Sequence, residues 1–175
     1  MSNKNKQLVL AIFGTEEDAD AAVTAVKSWD KASKDVKLGA IGILVKDDEG
    51  KIKTHKLGKR KTGTGAVIGA VAAAIASGGL SLVGGAVVGG ILGAFFHKGL
   101  GLSKDDMTRL DSELDGGKAV VAILAAADEA EAVTAKLTEL GGASETHEVS
   151  DEAIEQASSA VEEAAVADPD SVAAA

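Results

Sequence analysis

Apolar positions along the chain change period several times, and each change marks an element. LVLAIF (8–13) is an unbroken apolar run, the pattern of a strand buried on both faces. Thr15-Glu16-Glu17-Asp18 then has the spacing of a helix N-terminal capping box. Ala19, Ala22, Val23, Val26 and Trp29 follow at three- and four-residue steps, so the helix predicted there carries one apolar stripe. KLGAIGILV (37–45) reads as a second strand, Asp47-Asp48-Glu49-Gly50 as a hairpin turn, and KIKTHKL (51–57) as a more polar, alternating strand.

The same order recurs later. Ser103-Lys104-Asp105-Asp106 again has capping-box spacing, and Met107, Leu110 and Leu114 share one face of a short helix ending near Gly116-Gly117. KAVVAILA (118–125) is a second wholly apolar strand. A helix is predicted over 128–140, closed by Gly141-Gly142, and ETHEVS (145–150) is a polar edge strand. AIFGTEEDADAAVTAVK (11–27) aligns with AILAAADEAEAVTAKL (122–137), so an internal β-α-β duplication is the simplest source of both halves. Two such units predict an α+β protein with a ferredoxin-like, split β-α-β sheet, its wholly apolar strands central and the strand at 51–57 covering an outer edge.

Between the halves, TGTGAVIGAVAAAIASGGLSLVGGAVVGGILGAFF (62–96) contains no charged residue. As one straight helix it would extend about 52 Å, against roughly 30 Å of bilayer hydrocarbon. A single span would also place the two halves of one sheet on opposite sides of a membrane. Ser77-Gly78-Gly79 is the natural break, and the segment is expected to be a helical hairpin buried in a bilayer or in a protein assembly. Gly65, Gly69 and Ala73 fall four residues apart in the first arm, and Gly85, Gly89 and Gly93 do so in the second. Such stripes let helix backbones approach closely, and they are the expected packing surface of a glycine zipper. Lys56, Lys59, Arg60 and Lys61 before the segment and His97 and Lys98 after it would put both ends at a cytoplasmic membrane face, where the Lys and Arg side chains could contact anionic headgroups. The expected organisation is a first half at 7–61, the insert at 62–101, a second half at 102–150 and an acidic tail at 151–175.

Composition narrows the chemistry. The net charge is −9, and the seven acidic residues after position 150 leave only −2 for the rest. That balance lacks the basic surface a general nucleic-acid binder needs. With no cysteine, disulfide frameworks, thiol nucleophiles and Cys-type zinc sites are excluded. Six apolar residues are too few for a signal-peptide core, so the chain is expected not to be secreted. His55, His97 and His147 are dispersed, without metal-ligand spacing, and read as exposed or strand-edge residues. GKRKTGTG (58–65) lacks the residue order of a phosphate loop. Asp47, Asp48 and Glu49 read as a solvated turn, and Trp29 as packing rather than a ligand contact. No catalytic residue, metal or cofactor is expected. In the tail, Ile154, Ala157, Val161 and Ala164 or Ala165 fit either a weak amphipathic helix or disorder.

Residues 7–150 resemble a bacterial family of uncharacterised predicted membrane proteins, a domain of unknown function. The resemblance rests on an N-terminal β-α-β, the acidic-Gly-Lys turn Asp48-Glu49-Gly50-Lys51, the Gly-rich insert, and a short helix opening on Ser and acidic residues. Gly116-Gly117 stands where the family pattern has Pro-Gly, and the loop tip lacks Pro. The resemblance implies membrane association and a stress-related role, with no catalytic residues. The expected function is therefore non-enzymatic: a homo-oligomer, associated with a lipid bilayer at the cytoplasmic face of the inner or plasma membrane. The alternatives are a soluble cytoplasmic assembly that buries the hairpin, or a small-ligand sensor using the sheet.

Overall fold

The structure, a computed structural model, describes residues 6–33, 38–56, 62–76 and 99–157. In chain order the elements are β1 (Lys6–Phe13), α1 (Glu16–Ala32), β2 (Ala40–Lys46), β3 (Ile52–Lys56), α2 (Thr62–Ala76), α3 (Lys104–Asp115), β4 (Ala119–Ala126), α4 (Ala127–Glu139) and β5 (Ala143–Val149). A further helical stretch occupies 151–157. The protein is α+β, with one five-stranded sheet in the order β3-β2-β4-β1-β5 and every neighbouring pair antiparallel.

The two wholly apolar strands are the central pair, in register from Lys6↔Ala126 to Phe13↔Ala119. Alternation sends their side chains to opposite faces, and both faces are covered. On one, Val9, Ala11, Phe13, Val121 and Ile123 meet Ala19, Ala22, Val23 and Val26 of α1 and Ala130, Val133 and Leu137 of α4. The helices present there the stripes their periodicity predicts, and Thr15 caps α1 by accepting the Asp18 amide at 3.1 Å. Among the described residues β3 pairs only with β2, shielding its outer edge, and the turn before it places Gly50 at φ +76°.

The opposite face reveals where the start of the apolar segment goes. In α2, Val67, Ile68, Val71, Ala72, Ala74 and Ile75 are buried, in one cluster with Leu8, Leu10, Leu44, Val120, Ala122 and Leu124 of the sheet and Met107, Leu110 and Leu114 of α3. The first arm thus covers the chain's own sheet, a destination outside the two environments considered from sequence. Gly42 of β2 makes this docking fit: a Cβ there would stand 2.5 Å from Cγ2 of Ile68. Among the described residues no helix is long and apolar enough to cross a membrane. The core also continues past position 150, since Ala153 and Ala157 belong to this cluster and a Cβ on Gly99 would stand 2.6 Å from that of Ala153.

Candidate functional site

Two places stand out among the described residues: the side of α2 that carries Gly69, and a charged network where the chain returns from the apolar segment.

α2 has no charged residue on any side. Val67, Ile68, Val71, Ala72, Ala74 and Ile75 are buried in the cluster with the sheet, while Gly69 is half-exposed and, among the described residues, a Cβ added to it would meet nothing within 4 Å. Of the expected stripe in this arm, Gly69 alone has a described environment; the surroundings of Gly65 and Ala73 lie outside the described residues. Lys56 ends β3, six residues before α2 begins. Gly85, Gly89, Gly93, Lys59, Arg60, Lys61, His97 and Lys98 lie outside the described residues.

The network begins at the loop entering α3. Ser103 accepts the Asp106 amide at 3.1 Å, and Asp106 Oδ2 accepts the Ser103 amide at 2.9 Å, closing the capping box. Ser103 Oγ also donates to that carboxylate at 2.6 Å. These bonds from Ser103, side chain first and then backbone, with a smaller contribution from Arg109, hold the Asp106 carboxyl below the usual aspartate range against the opposing effect of burial. Arg109, one turn on, reaches Asp106 at 3.4 Å and crosses to Glu145 of β5 at 2.5 Å. Glu145 in turn contacts His147 at 3.0 Å, and His147 reaches the Gly101 carbonyl at 3.1 Å. The group thus ties together the loop, α3 and the edge strand. At the far end of α3, Lys46 of β2 bridges Asp111 and Asp115 at 2.9 and 2.7 Å.

Sequence reading placed His147 correctly on an edge strand but not in this company. The alternation of ETHEV puts residues 145 and 147 on one face, and that was the available signal; Arg109, the partner of Glu145, lies 36 residues before it and leaves no local trace. His55 is half-exposed, 3.6 Å from Glu16. Among the described residues no group of three or more His, Cys, Asp or Glu could hold a metal ion. Comparison of the chain with protein-family models, curated proteins and solved structures finds no match.

Proposed function

We propose that the protein acts by association and not by catalysis: a ferredoxin-like scaffold made from a duplicated β-α-β unit, multimerising through an inserted glycine-zipper hairpin and thereby able to sit against a membrane surface. The strand order β2-β4-β1-β5, with β3 added outside, is the order that two interleaved β-α-β units generate. The resemblance to uncharacterised membrane proteins fits this reading, as do the basic residues flanking the segment.

The observation that carries it is the outer side of α2. A glycine inside a helix costs about 1 kcal/mol relative to alanine. At Gly42 the fold itself requires that smallness, because Ile68 fills the space; at Gly69 nothing in the described fold does. A surface kept small and uncharged without an internal reason suits close approach by another helix. Self-association is favoured over spanning, because α2 already buries its aliphatic side on the sheet. Withdrawing it would uncover Leu8, Leu10, Leu44 and Leu124, at an order of 1.5–3 kcal/mol for each exposed side chain.

Size-exclusion chromatography with light scattering, run on the full chain with and without detergent, tests the reading. A defined oligomer that falls in mass on Gly69→Leu or Gly89→Leu is expected. A monomer in both buffers that also fails to sediment with anionic vesicles contradicts it.

A further inference from the structure

His147 is set between two oxygen atoms. Its side chain is only 12% exposed. Nδ1 lies 3.1 Å from the carbonyl oxygen of Gly101, and Nε2 lies 3.0 Å from Oε1 of Glu145. A backbone carbonyl has no proton to give. The other oxygen of Glu145 receives Arg109 Nη2 at 2.5 Å in a charge-assisted bond, which leaves Oε1 as an acceptor toward the ring. Both ring nitrogens thus face acceptors, and only the imidazolium, which carries two N–H groups, can donate to both at once. Either neutral tautomer would turn a lone pair toward an oxygen about 3 Å away.

We propose that His147 is a protonation-dependent latch that, when charged, fastens the 99–103 loop, by which the chain returns from the apolar segment, to the edge strand β5. The loop runs hard against that strand. Gly101 has φ +67°, and a Cβ there would stand 2.5 Å from the Glu148 carbonyl oxygen. A second tie lies beside it, from the Ser150 amide to the Gly99 carbonyl at 2.8 Å.

Charged and apolar groups from several elements surround the ring. Glu145 flanks it on β5, and α3 contributes Asp106 and Arg109. Leu8, opposite on β1, is apolar, and Lys6 lies two residues along on the same side of the sheet. The 151–157 stretch approaches through Ala153, while its Asp151, Glu152 and Glu155 are exposed. Since the closed arrangement requires the proton, its stabilisation is complete when His147 is charged and is lost as rising pH removes it.

The test follows two nuclei in the full chain across a pH series: the His147 ring nitrogens, by their NMR shifts, and the Ser150 amide, by hydrogen exchange corrected for intrinsic rate. Both ring nitrogens should carry protons at the acid end, and the Ser150 protection factor should fall about tenfold in step with their titration, the effect of losing one charge-assisted hydrogen bond. His147→Gln should hold protection at the alkaline level throughout, with β4 amides protected as before. A singly protonated ring while Ser150 stays fully protected overturns the proposal, as does an unchanged Ser150 profile in His147→Gln.

Discussion

The two helical layers covering the sheet are built on opposite terms. The α1/α4 layer is finished on both sides: α1 buries its Ala and Val stripe and presents Glu16, Glu17, Asp18 and Lys31 at its ends. In the α2/α3 layer α3 likewise exposes charge, at Lys104 and Asp105, but α2 has none, and among the described residues it leaves space at Gly69. Equal burial underneath therefore conceals unequal surfaces above. A helix whose outer side bears charge is content with water; one with no charge on it is left incomplete by the described fold.

Replacements beneath the layers should have the largest effects and should be alike. Ile75→Ala removes a fully buried side chain and should cost about 2–4 kcal/mol in denaturant unfolding, with Val26→Ala in the other layer costing somewhat less. A loss at Ile75 under about 0.5 kcal/mol would mean that α2 is not packed on the sheet in solution. Next comes Gly42→Val, which collides with Ile68 and should cost about 2 kcal/mol; adding Ile68→Ala should recover part of that, a coupling that a double-mutant cycle reads directly. Ser103→Ala opens the capping box of α3 and should cost about 1 kcal/mol. Gly69→Ala has the smallest effect and the opposite sign: in the dissociated chain it should add about 0.5–1 kcal/mol through helix propensity while weakening association.

One further distinction is electrostatic. Hydrogen bonds to Asp115 and then Asp111 raise the Lys46 ammonium above the usual lysine value of 10.5. Because the folded value is the higher one, this tie between α3 and β2 is complete below pH 10.5 and disappears as pH rises beyond it. Lys46→Met should remove that alkaline loss from the stability profile.

The elements of the α1/α4 layer were legible in the sequence because each helix carries its own contrast, apolar on one side and charged on the other. The central strands were legible for the related reason that residues 8–13 and 119–124 have no polar side at all. α2 offered no such contrast. With no charge anywhere in 62–76, periodicity cannot tell a side packed on a sheet from a side facing a partner, and both arms of the segment read alike. The distinction lies in shape, with Val67, Ile68, Val71 and Ile75 toward the sheet and Gly69 away from it, and that pattern gains its meaning only when Gly42 is seen opposite Ile68. The network at His147 was hidden differently, because its members come from a loop, a helix and an edge strand whose meeting depends on the whole topology.

The contrast between the layers is tested most directly by proximity. The chain has no cysteine, so Gly69→Cys introduces a single thiol on the outer side of α2, and Asp20→Cys introduces one on the exposed side of α1. Under mild oxidation of the full-length protein, the Gly69→Cys variant should form covalent dimers readily and the Asp20→Cys variant should not. Equal yields from the two, or none from Gly69→Cys at concentrations where the wild type is oligomeric, would contradict the account.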